Sequence, residues 1–119
     1  MKKVDTVVQK YLSAEEIFAV QDIETVEVKV PEWGGIVRLR SLSGEEAFTF
    51  AKLIEKDKSS GAVQVLLLSA VDANGSQLFT SEDLDKLKKK SLHAIMRLQK
   101  EALRINGLTE EAVEATKNV

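Results

Sequence analysis

Apolar residues recur at every second position in two short runs between Thr25 and Arg40, and at helical spacing over most of the chain beyond. In the first stretch Val26, Val28 and Val30 alternate with Glu27 and Lys29, and Val37 and Leu39 alternate with Arg38 and Arg40. A period of two describes a strand with one buried face. Pro31 stops the first ladder because it has no N–H to donate, and Gly34-Gly35 supplies the permissive backbone of a turn. The pattern predicts an antiparallel β-hairpin within residues 25–42, closed by a loop of about five residues from Pro31 to Gly35.

The rest reads as helix. Ser13-Ala14-Glu15-Glu16 and Ser43-Gly44-Glu45-Glu46 both have the form of a capping box, in which the serine hydroxyl and the glutamate carboxylate each satisfy the other's backbone N–H. The first opens a short helix that stops at Asp22; the second opens a helix through Phe48, Phe50, Leu53 and Ile54. Lys56–Gly61 is a polar break. Ala62–Val71 suits a buried helix by its length of about ten, with Asn74-Gly75 providing the left-handed exit. The alternative makes Asn74-Gly75 a hairpin turn and Val63–Val71 a third strand. Thr80 caps the next helix, with Glu82 and Asp83 in its positive first turn. Ser91 caps a longer helix from Leu92 to Asn106, Gly107 ends it, and Thr109-Glu110-Glu111 begins a last short one.

These elements assemble as an α+β fold, a mostly helical single domain with the hairpin under its helices. The expected core brings Val26, Val28, Val30, Val37 and Leu39 against Phe48, Phe50, Ile54, Leu66 and Leu92. In the long helix Leu92, Ile95, Met96 and Leu103 form one stripe, and Ala94, Leu98, Ala102 and Ile105 widen it. So broad a face exceeds that of a surface helix. The helix is either central to the core or meets another subunit, and together with the free edge of a lone hairpin this predicts a homo-oligomer.

Length and composition agree with one domain. The chain has 119 residues, 44% hydrophobic and 30% charged, far from the composition of disordered chains. Residues 1–11 and 114–119 are expected to fray. Seventeen basic residues against nineteen acidic ones leave a net charge of −2, which argues against a nucleic-acid or acidic-membrane binder. With no cysteine there is no disulfide scaffold, thiolate metal site or thiol catalysis. No apolar h-region follows Lys2-Lys3, and the longest wholly apolar run, Val65–Leu68, is too short to span a membrane. A soluble protein of the cytoplasm is expected.

Candidate chemistry is sparse. His93 is the sole histidine and has no ligand partner at helical spacing. Asp72-Ala73-Asn74-Gly75-Ser76 has its glycine two positions too early for a calcium loop and reads as a polar turn. The acidic pairs Glu15-Glu16, Glu45-Glu46 and Glu110-Glu111 stand in first helical turns, where capping and the helix dipole account for them. Lys86–Lys90 reads as a solvated helix end. No catalytic residue, metal or cofactor is expected. The one tryptophan, Trp33, falls at the hairpin tip, where it either folds back on the strands or anchors a contact. Trp33 is the first candidate for partner binding, and the Arg38/Arg40 face of the hairpin is the second.

The order of motifs adds a resemblance. Leu12-Ser13-Ala14-Glu15-Glu16-Ile17 is followed by Val26-Glu27-Val28-Lys29-Val30-Pro31-Glu32-Trp33-Gly34-Gly35 and by Val37-Arg38-Leu39-Arg40. Later come Asp72-Ala73-Asn74-Gly75, Leu78-Phe79-Thr80 and Ile105-Asn106-Gly107-Leu108-Thr109-Glu110-Glu111. From Leu12 to Val113 the chain resembles the tail assembly chaperones of long-tailed, siphovirus-type bacteriophages. The resemblance implies a non-enzymatic protein of the bacterial host cytoplasm, absent from the mature virion. It implies binding to the tape-measure protein and recruitment of the major tail protein, the latter through a longer form made by a programmed frameshift. In a bacterial genome such a sequence would mark a prophage. The alternatives are a virion component, such as a tail or head-completion protein, or a small oligomeric adaptor.

Overall fold

A computed structural model of the protein describes residues 10–107; the expected last helix from Thr109 lies outside them, as does most of the segments expected to fray. In chain order the elements are α1 (Ala14–Ala19), β1 (Thr25–Val30), β2 (Gly35–Arg40), α2 (Gly44–Lys56), α3 (Gly61–Ser69), β3 (Ala70–Val71), α4 (Leu84–Lys88) and α5 (Leu92–Ile105). The fold is α+β and mostly helical, a single small domain, as the sequence pattern predicts.

The hairpin forms where period two predicts it. β1 and β2 pair antiparallel from Thr25↔Arg40 through Val28↔Val37 to Val30↔Gly35. Gly35 already belongs to the ladder, so the loop is one residue shorter than expected. Pro31–Trp33 make a single 3-10 turn, and Gly34 closes it at φ +73°, a left-handed conformation that side chains resist. The hairpin is not alone. β3 adds to β2 at Arg38↔Val71 and Leu39↔Ala70, which makes β2 the central strand of three.

The Ala62–Val71 segment combines both readings of its sequence. Residues 61–69 are helix, and the last two residues turn into strand. The Asp72 carboxylate then accepts the N–H groups of Asn74 and Ser76 at 2.8 and 2.9 Å. Gly75 sits at φ +86°, and the chain returns so that Gln77 bridges Val71. Asn74-Gly75 therefore does form a tight turn, and the helix before it ends at Ser69.

One face of the sheet lies beneath α5 and α3, and α2 packs on α3. Val28, Val30 and Leu39 meet Val63, Val65, Leu66, Leu67 and Ala70 from α3 and β3, and Ala94, Ile95, Leu98 and Ala102 from α5. Burying each large aliphatic side chain contributes about 1.5–3 kcal/mol. Val26, Val37 and Phe50 pack around this cluster, Leu66 lies within it and Ile54 is half-buried.

Two expected core residues face water instead. Phe48 is 74% exposed and Leu92 67% exposed. At 100° per residue Phe48 points nearly opposite Phe50, Leu53 and Ile54, so one α2 helix cannot bury both sides. The same geometry divides α5. Ala94, Ile95, Leu98 and Ala102 form the buried stripe, while Leu92, Met96 and Leu103 fall on a second stripe more than 100° round the helix, where Leu92 and Met96 face water.

Residues 10–24, which include α1, are exposed throughout. The Ser13–Glu16 capping box forms as the sequence predicts. Only the last step into the sheet is tied down, where the Glu24 N–H meets the Ser41 hydroxyl at 2.9 Å and the Ser41 N–H meets the Glu24 carbonyl at 2.8 Å.

Candidate partner-binding groove

Trp33 occupies neither extreme that its position allows. The 3-10 turn folds it back until it is half-buried against the core cluster, and the exposed side of its ring forms one wall of a groove. Phe79 and the buried Leu87 form the rest of the apolar surface, and Asp83, Lys86 and Lys90 stand around it. The groove encloses about 480 Å³. It is built from three separate pieces of chain: the hairpin loop, the segment before α4, and α4 with its C-terminal lysines.

Local structure holds each piece. Glu32 in the hairpin loop forms an ion pair with Arg97 of α5, and the guanidinium beside it holds the Glu32 carboxyl below the usual carboxylate range. At the other wall a capping box runs between Thr80 and Asp83, where the Asp83 carboxylate accepts the Thr80 N–H at 2.9 Å. Asp83 is thus committed to its own backbone. Lys86 and Lys90 are exposed, and among the described residues neither has an ion-pair partner.

The other sequence candidates lie elsewhere. Arg38 and Arg40 project from the outer face of the sheet, away from the core that Trp33 touches. Arg38 bonds the Glu27 carboxylate across the strand pair at 2.9 Å and the Ala73 carbonyl at 3.2 Å. Arg40 makes a two-pronged pair with Glu46 in the first turn of α2, one prong at 2.7 Å. That pair pulls the Glu46 carboxyl from 4.5 to about 2, helped by the Ser43 cap, and raises Arg40. Both guanidinium groups are engaged within the chain.

Phe79, Leu87, Lys86 and Lys90 carried no such signal in the sequence. Phe79 stands in no periodic run, and the lysines look like an ordinary helix terminus. Only the closeness of Trp33 to α4 makes them one surface. Among the described residues no cluster of three or more His, Asp or Glu side chains could hold a metal ion, and no helix is long and apolar enough to cross a membrane. The groove is open and mostly apolar, with Lys86 and Lys90 at its margin.

The chain thus defines a small α+β domain with an open, mostly apolar groove beside Trp33. Its fold is that of a phage protein of known structure. The structure of the bacteriophage HK97 tail assembly chaperone matches with a TM-score of 0.59 at 21% sequence identity, over 76% of this chain and 90% of that one. No family model matches the sequence, and no curated protein matches it.

Proposed function

We propose that this protein is a tail assembly chaperone of a long-tailed bacteriophage, acting without catalysis in the cytoplasm of the bacterial host. The observation that carries the reading is the fold it shares with the HK97 chaperone over 90% of that chain. Its client is the tape-measure protein, a long helical chain whose apolar faces would aggregate before tail subunits enclose them. A helix laid in the Trp33–Phe79–Leu87 groove hides its apolar face while its flanks stay in water, the helix-in-groove mode of recognition. Trp33 is the anchor of this contact. Arg38 and Arg40 hold the hairpin and the start of α2 in shape and contribute to binding only if their carboxylate partners are exchanged. A longer, frameshifted form recruits the major tail protein, and neither form stays in the finished particle.

Co-expression with the tape-measure gene tests this reading. The client is expected in the soluble fraction and on a tagged copy of this protein, and Trp33→Ala is expected to weaken capture by about tenfold or more, as befits a central aromatic anchor. A tape measure that stays insoluble and is not captured by either length of the protein contradicts the reading. Mass spectrometry of purified particles separates it from a virion component, which would be found there.

A further inference from the structure

The segment 10–24 carries the chemistry that the groove lacks. Tyr11, Leu12, Ile17, Phe18, Val20 and Ile23 all face water, with Phe18 84% exposed. Ala14, Ile17 and Phe18 share one side of α1, being three and four residues apart. The segment has Lys10 against four acids, Glu15, Glu16, Asp22 and Glu24. Lys10 is already paired with Glu16 at 2.7 Å, while Glu15, Asp22 and Glu24 have no ion pair among the described residues. The groove is the converse: an apolar floor at Leu87 and Phe79, beside Lys86 and Lys90, which have no ion pair among the described residues, and Asp83, which is bonded to the Thr80 N–H.

The two features lie beyond opposite ends of β1. The segment joins β1 at Thr25, whereas Trp33 follows the other end of that strand at Val30. Six residues of strand separate them by about 17 Å. The segment buries none of its residues on its own body.

We propose that the N-terminal segment of one copy lies in the Trp33–Phe79–Leu87 groove of a second copy, and that a client helix displaces it. Ile17 and Phe18 cover the apolar floor, and Glu15 faces Lys86 and Lys90. The exchange keeps both apolar surfaces out of water while no client is present. The displacement rests on the client reading above; the exchange itself does not.

The chain has no cysteine, so single thiols can be placed without background. Protein carrying Ala19→Cys, at the exposed end of α1, is mixed under mild oxidation at tens of micromolar with protein carrying Lys90→Cys. A mixed disulfide is expected to form about tenfold or more faster than between Ala19→Cys and Lys52→Cys on α2, because docking raises the local thiol concentration. Rates equal to that control overturn the exchange. In sedimentation the wild type is expected as a dimer or larger, and Phe18→Asp, altered at a solvent-covered site, as a monomer of 13.2 kDa. A wild-type monomer at that concentration also overturns the exchange and leaves the client reading standing. Excess tape-measure fragment is expected to slow the Ala19–Lys90 crosslink; an unchanged rate while the fragment binds overturns displacement alone.

Discussion

Arg40 and Glu46 show how one pair of side chains joins two elements that sequence separates only by a short turn. Arg40 ends β2, Glu46 stands in the first turn of α2, and their two-pronged contact sets the angle at which the helix leaves the sheet. The Glu46 carboxyl lies at about 2 in the folded protein against an ordinary 4.5. A folded value below the unfolded one means stability that is complete above the unfolded value and is lost as pH falls through the folded one. The wild type is therefore expected to lose stability between pH 4.5 and pH 2, and Glu46→Gln to show a flatter profile over that window. At neutral pH the variant is expected to lose about 1–2 kcal/mol, after allowance for the partial exposure of the pair. Urea midpoints across pH measure this, and parallel curves for the two proteins would contradict it. Trp33 was legible at this scale as a residue with two possible fates, because an aromatic side chain at a loop tip must either fold back or meet a partner. The 3-10 turn lets it do the first on one side of the ring and leaves the other side open.

Among the elements, the helices show which patterns can be read and which cannot. The hairpin register follows from alternation alone, since a slip of one residue would expose Val28, Val30 and Leu39 together. Helix faces were less legible because both α2 and α5 carry apolar residues on two sides, and composition does not say which side meets the core. Leu39 and Phe48 make the contrast measurable. Leu39→Ala removes a fully buried side chain and is expected to cost about 3 kcal/mol. Phe48→Ala changes a side chain 74% exposed and is expected to stay within about 0.5 kcal/mol. Similar urea midpoints for the two variants would contradict the assignment of faces. In α3, packed on nearly every side, Ser69 is buried and its hydroxyl has no partner among the described residues. Ser69→Ala removes an unpaired polar group and favours the helix, and is expected to add about 1 kcal/mol, read as a rise in Tm. A fall in Tm would show that the hydroxyl is satisfied in solution.

At the scale of the whole molecule the α+β class, the hairpin and the long C-terminal helix could all be read from periodicity and caps. The third strand was legible only as the alternative reading of Val63–Val71, because two residues at the end of a helix carry no alternation. Not legible at all was the tie in which the Leu42 N–H donates to the Asn106 side chain at 2.7 Å, which joins the exit of β2 to the end of α5 across 64 positions. The groove was half legible. Trp33 announced itself, whereas Phe79, Leu87 and the α4 lysines become a surface only once the hairpin loop is folded onto α4 and α5. The 10–24 segment and the Trp33 groove both leave apolar surface open to water, on a fold shared with the bacteriophage HK97 tail assembly chaperone.

Light scattering from a purified tape-measure fragment, diluted from denaturant into buffer with an equal amount of this protein, tests the chaperone reading most directly. Wild-type protein is expected to suppress the rise in scattering and leave the fragment in a soluble complex, and Trp33→Ala to suppress it much less. Scattering that rises as fast with the wild-type protein as in buffer alone would contradict the account.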